Sequence, residues 1–320
     1  MNGNIILIII GCYFAFLMFI SHLTSRNSDN ETFFIGGKKS PWFLVAFGMI
    51  GTSISGVTFV SVPGMPLHID MTYMQTVLGF AIGYLIIAQV LLPLYYKLNL
   101  TSIYTYLEER FGHKAYKTGA SFFLLSKIIG AAARLYIVVL ILQRFVFDYW
   151  NIPFAVTATV IVLLIWLYSH KSGIKTIVWT DALQTFFLLG GLIMIIWQLM
   201  SKMNLDFNGV ISTVQESNMS RIFVFDDWHT KQNFFKQFFS GIFITIVMTG
   251  LDQDMMQKNL SIQTLKESQK NMYFYGIAFV PVNLLFLTLG ILLISYATQS
   301  GIALPETSDE ILPLFATQYL

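Results

Sequence analysis

The sequence predicts an all-α protein that crosses a membrane several times. Of its 320 residues, 55% are hydrophobic and only 11% are charged, and the mean hydropathy is +0.66. Soluble domains carry roughly 25% charged residues, so this composition excludes an ordinary soluble fold. Apolar windows of about 20 residues, the length that spans a bilayer, recur along the chain. They predict eight spans, at residues 4–22, 42–66, 73–96, 117–148, 153–169, 174–200, 233–257 and 272–298.

Lys and Arg are distributed unevenly between the connectors of these spans. The odd-numbered connectors (about 23–41, 97–117, 170–175 and 258–271) hold twelve of them, and the other side holds four, all in or beside the long loop 201–232. Because positive connectors face the cytoplasm, we expect a multi-pass protein of the cell inner (plasma) membrane with its N-terminus outside. The first span lacks the basic start and the small-residue cleavage site of a signal peptide, and is expected to be retained.

Small and hydroxyl-bearing residues interrupt the second span at membrane depth. The run is Gly51-Thr52-Ser53-Ile54-Ser55-Gly56-Val57-Thr58. Backbone groups at this depth have no water to bind, so a broken helix persists only where it is wrapped in protein or lines a cavity. The released carbonyls and the hydroxyls would suit a sodium ion, which needs no carboxylate. The alternative is that small residues here only allow close helix packing.

Two of the charged side chains within predicted spans are candidates for function. An intramembrane carboxylate costs roughly 2.5 to 3.5 kcal/mol on insertion scales, so Asp181 in the sixth span is a candidate cation ligand; the alternative is a helix cap or a pair with Lys175. Arg134 lies in the fourth span after three alanines. Its planar guanidinium matches a carboxylate, either of an anionic solute or of Asp181, Asp252 or Asp254.

The seventh span contains a second, weaker signal of a broken helix. Thr245, Thr249 and Gly250 precede Asp252 and Asp254, where the segment leaves the membrane. Around residues 101–112 an amphipathic helix is expected on the cytoplasmic surface. After the eighth span, residues 301–320 read as a polar segment.

Five motifs, taken in order, resemble the sodium:solute symporter family over essentially the whole chain. They are 33–37 (FFIGG), the run at 51–58, 105–112 (TYLEERFG), 173–184 (GIKTIVWTDALQ) and 250–257 (GLDQDMMQ). The resemblance implies a leucine-transporter-like inverted-repeat fold. On that plan residues 1–41 hold an extra helix and a cytoplasmic loop, 42–200 form a complete first repeat, 201–232 form an extracellular or periplasmic loop, and 233–320 begin a partial second repeat.

The resemblance also implies site residues. The carbonyls of Gly51 and Ile54 match the main sodium site, and Asp181 matches an aspartate near a sodium exit path or second sodium. Arg134 resembles the arginine that holds the substrate carboxylate in the sialic acid branch, and Met248 replaces an aromatic gate. The remaining solute-binding positions are Ser53, Ser55, Thr58, Gln75 and Thr245. The other half of the sodium site would lie beyond Leu320, so the chain is expected to be truncated and not to transport alone.

The function that this resemblance implies is sodium-coupled import of a small organic solute, foremost a carboxylated sugar such as sialic acid. The alternatives left open are a solute-sensing membrane domain of a signalling protein and a neutral sugar symporter. The expected cofactor is Na⁺, and the expected partners are the solute and the lipid bilayer, with no nucleic acid. The sequence shows no nucleophile–base pair, phosphate loop or metal-ligand cluster, and a single cysteine, Cys12. An enzyme is therefore not expected.

Overall fold

The fold is helical, and the computed structural model describes residues 3–24, 38–100, 102–169 and 174–320. Within these ranges there is no β-strand, which confirms an all-α, multi-span membrane protein. The FFIGG motif at 33–37 and the connector residues 170–173 lie outside the described residues.

The first half of the chain forms nine helices within the described ranges. They are α1 (Gly3–Thr24), α2 (Trp42–Ser53), α3 (Gly56–Ser61), α4 (Pro66–Ile69), α5 (Tyr73–Ile86), α6 (Leu92–Lys97), α7 (Ile103–Phe111), α8 (His113–Leu142) and α9 (Phe154–Ser169). A 3-10 turn, Val62–Gly64, follows α3, and a π-helical stretch, Ile87–Leu91, joins α5 to α6.

The second half of the chain forms six more helices within the described residues. They are α10 (Ile174–Lys202), α11 (Phe207–Glu216), α12 (Phe234–Thr245), α13 (Gln253–Leu260), α14 (Leu265–Ser300) and α15 (Ile311–Leu314). A π-helical stretch, Ile246–Gly250, extends α12, and another, Phe315–Tyr319, extends α15.

All eight predicted spans coincide with helical segments. Among the described residues, four helices are long and apolar enough to cross a membrane, and the number rises to six if each of two bent helix pairs is one span. The two remaining predicted spans coincide with shorter apolar helices, Ile5–Ile20 and Phe154–Leu167. The four long helices are Tyr73–Lys97, His113–Leu142, Thr176–Lys202 and Leu265–Ser300.

Both predicted helix breaks are present. The pair α2 and α3 bends by 59°, and the pair formed by α12 with its π-helical extension and α13 bends by 66°. At the second break Asp252 begins the new helix, because its Oδ1 accepts hydrogen bonds from the N–H groups of Asp254 (3.0 Å) and Met255 (3.2 Å). Such a side-chain cap satisfies N–H groups that the start of a helix leaves without partners.

The chain divides into two compact units that are described separately. The first unit comprises Met1–Gly48, Ala88–Ala182 and Thr249–Asn271, and the second comprises Met49–Ile87, Leu183–Met248 and Met272–Leu320. Within the first unit α1 packs on α9, and α8 contacts both α7 and α9. Within the second unit the most extensive packing joins α5 to α12.

Glycines allow the close approach of α5 and α12. A Cβ atom at Gly79 would overlap the carbonyl oxygen of Phe238, and one at Gly241 would overlap that of Thr76. At Gly83 an added Cβ would lie 2.7 Å from the Cβ of Thr245. This is the small-residue packing common between membrane helices, and it places α12 against α5 near the second break.

Two segments differ from the sequence expectation. The loop 201–232 contains the helix α11, which begins where Asp206 Oδ1 accepts a hydrogen bond from the Gly209 N–H at 2.7 Å. The prediction that residues 301–320 are simply polar was wrong, because Ile311, Leu312 and Phe315 are buried. These apolar positions are too few to register in a 20-residue window, yet they are enough to fold the segment onto the second unit.

Candidate functional site

The break between α2 and α3 holds five of the ten predicted site residues, and all five belong to the second unit. Ile54 is fully buried, whereas Gly51, Ser53, Ser55 and Thr58 are partly exposed. In the last backbone hydrogen bond of α2, the Ile54 N–H donates to the Ile50 carbonyl at 2.8 Å. The helical hydrogen bonds resume where the Phe59 N–H donates to the Ser55 carbonyl at 3.0 Å.

Backbone groups at this break are therefore available to a ligand. Helix ends leave terminal carbonyl and N–H groups without intrahelical partners, and the Ser55 side chain, at the N-cap of α3, makes no capping hydrogen bond. The carbonyls that end α2 carry the negative end of its dipole. A cation is the ligand that this arrangement favours.

Gly51 is fixed as glycine by its contact with α10. A Cβ atom at this position would overlap Thr185 Oγ1 and would lie 2.9 Å from Thr185 Cβ. Thr185 is itself fully buried. The packing explanation of the small residues is therefore correct for Gly51, and it is compatible with a released carbonyl at the same residue.

A chain of hydroxyl groups connects the break to α14 and α5. Ser53 Oγ is hydrogen-bonded to the Tyr275 hydroxyl, and the Tyr84 hydroxyl donates to the same Tyr275 oxygen at 2.8 Å. The two tyrosine rings lie 4.3 Å apart between centroids. The sequence reasoning missed both tyrosines, whose only signal was a hydroxyl within an apolar span.

Gln75 holds a loop in place. Its Nε2 donates to the carbonyls of Thr72 (3.2 Å) and Gln232 (2.9 Å), and its Oε1 accepts from the Val224 N–H at 3.1 Å. The side chain is fully buried. Its three hydrogen bonds fasten the segment before α12 onto the start of α5, and its role in solute binding stays a prediction.

Thr245 and Met248 differ in their exposure. Thr245 is buried against Gly83, whereas Met248 is 56% exposed. Only Met248 is accessible in this structure, and the prediction that both residues line the solute pocket stays a prediction.

Asp181 belongs to the first unit and forms a buried ion pair. Its Oδ2 lies 2.7 Å from Lys258 Nζ on α13, and the Lys258 side chain is only 4% exposed. The same ammonium lies 3.6 Å from Asp254 Oδ2. The sequence had offered Lys175 as the structural partner of Asp181; the Lys175 side chain is not described, and the observed partner is Lys258.

Arg134 also belongs to the first unit, where it is exposed on α8. The three carboxylates offered as its ion-pair partners contact lysines instead: Asp181 and Asp254 contact Lys258, and Asp252 Oδ2 lies 2.6 Å from Lys127 Nζ. The described residues supply no ion pair for Arg134 itself.

The oxygen donors of the site are neutral. Among the described residues no group of three or more His, Cys, Asp or Glu side chains could hold a metal ion. The break offers carbonyl and hydroxyl oxygens, the donors with which broken transporter helices coordinate Na⁺.

A known protein family matches most of this chain. The family model described as "Sodium:solute symporter family" matches residues 33–312. The chain belongs to the sodium:solute symporter family. It is similar to the sodium/sialic acid symporter SiaT of Proteus mirabilis (strain HI4320), with 26% identity over 96% of this chain and 62% of that protein. It is also similar to the human sodium-coupled monocarboxylate transporter 2, with 24% identity over 92% of this chain and 47% of that protein.

A solved structure of the family shares the fold. The substrate-bound outward-open state of a Na⁺-coupled sialic acid symporter matches with a TM-score of 0.83 and 25% identity, over 96% of this chain and 64% of that chain. This symporter family member thus spans roughly half to two thirds of the length of the relatives cited here.

Proposed function

We propose that the protein is a sodium-coupled symporter that imports a small organic solute bearing a carboxylate. The observation that carries the proposal is the broken α2–α3 helix, with hydroxyl side chains around an interrupted backbone ladder. Family membership supports sodium as the coupling ion. In this proposal the protein has no enzymatic activity.

Sodium binds at the break in this account. The carbonyls of Gly51 and Ile54 are the proposed ligands. Symport requires that sodium and solute favour the same conformation, because each can shift the equilibrium only through its differential affinity for the two states. Ser53, Ser55 and Thr58 on the same broken helix would bind the solute, so that both ligands contact one broken helix.

The solute class follows from chemistry that the relatives share. The names of the bacterial and human relatives specify sialic acid and monocarboxylates, and both solutes carry a carboxylate. In this chain Arg134 is the proposed carboxylate-binding residue, since its guanidinium has no ion-pair partner among the described residues.

Orientation follows from the charge distribution. We place the N-terminus outside and the protein in the inner (plasma) membrane, because the connectors rich in Lys and Arg fall on one side. We also propose that residues 42–200 form the first repeat and that residues 233–320 begin the second.

Uptake by the natural protein in proteoliposomes tests the function. Radiolabelled sialic acid, a short monocarboxylate and a neutral hexose are compared in sodium and in choline. We expect sodium-dependent uptake of a carboxylated solute. Arg134→Lys should abolish most of this uptake, because lysine lacks the planar guanidinium that pairs with a carboxylate through two hydrogen bonds. The control substitution Arg110→Lys on α7 should leave the uptake unchanged. Equal uptake in choline, or sodium-dependent uptake of the hexose alone, would contradict the proposal.

A further inference from the structure

One polar atom in the interior of the second unit has no partner. Asn283, on α14, is fully buried, and its Oδ1 makes no hydrogen bond to any described residue. Its Nδ2 donates to the Phe279 carbonyl at 2.8 Å. That bond fixes the orientation of the amide, because a flipped amide would place two oxygens against each other. An unsatisfied buried carbonyl requires an explanation, such as a missing ion or water.

The packing of α14 shows where this carbonyl lies. Phe286 contacts Phe59 of α3, with ring centroids 5.3 Å apart, and Phe279 contacts Phe80 of α5 at 6.0 Å. Asn283 is four residues after Phe279 and three before Phe286, so the three side chains share one face of the helix. The Asn283 amide is therefore on the face that packs against α3 and α5.

Three contacts along α14 show how its residues align with those of the broken helix. Tyr275 is paired with Ser53, Phe286 with Phe59, and Gly290 packs against the Pro63 carbonyl. The numbers rise together, so α14 runs parallel to the broken helix. Asn283 is eight residues after Tyr275 and three before Phe286, so its level lies just before Phe59, in the first turn of α3 beyond the break.

We propose that Asn283 Oδ1 is a ligand for Na⁺ at the break between α2 and α3. Two independent features lie within about one helical turn of each other: the interrupted backbone ladder of the broken helix, and an amide oxygen that has no donor among the described residues. Both offer neutral oxygen atoms, which replace the water shell of a monovalent cation. The full burial of Asn283 favours a bare ion over a solute, because a solute needs an accessible cavity. The inference rests on the proposed sodium coupling and adds a side-chain ligand to it.

Sequence alone gave no reason to select this residue. Asn283 follows Pro281 in an apolar span, and proline removes a hydrogen bond from the helix interior. The asparagine could have been a local response to that proline. Its Nδ2 does bond to its own helix, but the Oδ1 is left for a ligand.

Thermal unfolding of the purified protein in NaCl and in choline chloride tests the inference. Sodium should raise the unfolding midpoint of the wild type. Asn283→Leu removes the oxygen and keeps a similar shape, and should weaken the apparent sodium affinity by about tenfold or more. Asn283→Asp keeps an oxygen, adds a charge and should bind sodium more tightly. The matched control is Thr298→Val on the same helix, where the hydroxyl bonds to the Ile294 carbonyl at 3.0 Å.

The outcomes separate this inference from the proposed function. A wild-type sodium response that persists unchanged in Asn283→Leu overturns the inference and leaves sodium coupling intact. If that variant keeps its sodium response but loses solute binding, the ligand is the solute and the assignment to sodium is wrong. Should Asn283→Leu fail to fold, an unchanged sodium affinity in Asn283→Asp overturns the inference. A wild type without any sodium response contradicts both proposals.

Discussion

At the residue scale, the broken helix combines a steric requirement with a chemical one. Gly51 must be glycine because of Thr185, while its carbonyl is a proposed sodium ligand. Ser53 is oriented by the Tyr275 hydroxyl, which also accepts from Tyr84. Packing and binding are thus two roles of the same residues, and substitutions can separate them.

Gly51→Ala should destabilise the protein. The added Cβ overlaps Thr185, and overpacking of this kind costs about 1–3 kcal/mol of the free energy of unfolding. Thermal unfolding in detergent measures the effect. The control is Gly191→Ala on α10, where an added Cβ meets nothing within 4 Å; it should be neutral or stabilising, since alanine favours helix. Equal melting temperatures for Gly51→Ala and the wild type would refute the tight contact.

Ser53→Ala and Thr58→Ala should each lower solute affinity about three- to tenfold, because each removes one hydrogen bond worth roughly 0.5–1.5 kcal/mol. Equilibrium binding of the radiolabelled solute at fixed sodium concentration measures this. Ser212→Ala on α11, whose hydroxyl bonds only within its own turn to the Gly209 carbonyl, serves as the control. Wild-type affinity in both variants would remove the hydroxyl run from the solute site.

At the element scale, α13 is held by buried charge. Lys258 contacts Asp181 of α10 at 2.7 Å and Asp254 of its own helix at 3.6 Å, and the Lys258 side chain is almost entirely buried. Asp252 caps the start of α13 and also contacts Lys127 of α8. The short helix after the second break is thereby fastened to α10 and α8 within the first unit.

Lys258→Met should destabilise the protein by about 3–5 kcal/mol, since it leaves a buried carboxylate without its counter-charge. The double variant Asp181→Leu/Lys258→Met should recover most of this loss, because removing both charges removes the desolvation penalty as well. Unfolding midpoints of the two variants measure the difference. If the double variant is no more stable than Lys258→Met, the loss of stability does not come from the unpaired charge of Asp181.

At the scale of the whole molecule, the sequence pattern was sufficient for the fold class, for the helical segments at the eight predicted spans and for both breaks. Small and hydroxyl-bearing residues at membrane depth are legible in a sequence because lipid disfavours them. The contacts between side chains of different helices cannot be predicted from the sequence in the same way. Lys258 as the partner of Asp181, Tyr275 as the partner of Ser53, and the orphan carbonyl of Asn283 all depend on which helix faces are apposed, and periodicity does not specify that.

The loop 201–232 and the segment 301–320 differed from the sequence prediction for the same reason, because their structure depends on contacts with other helices. The helix α11 is short and its apolar positions are few, and the buried residues after residue 310 belong to a short apolar run, residues 311–315. Neither segment registers in a window sized for a membrane span. Each is stabilised by contacts that form only when the surrounding helices have packed.

Hydrogen–deuterium exchange of the backbone around the break tests the central claim most directly. The protein is compared in NaCl and in choline chloride at equal ionic strength, with peptides covering residues 50–59 and, as an internal control, α11. If Na⁺ is bound by the interrupted backbone, the amides of residues 50–59 should exchange more slowly in sodium while those of α11 stay unchanged. Identical exchange at residues 50–59 in the two salts would contradict the account.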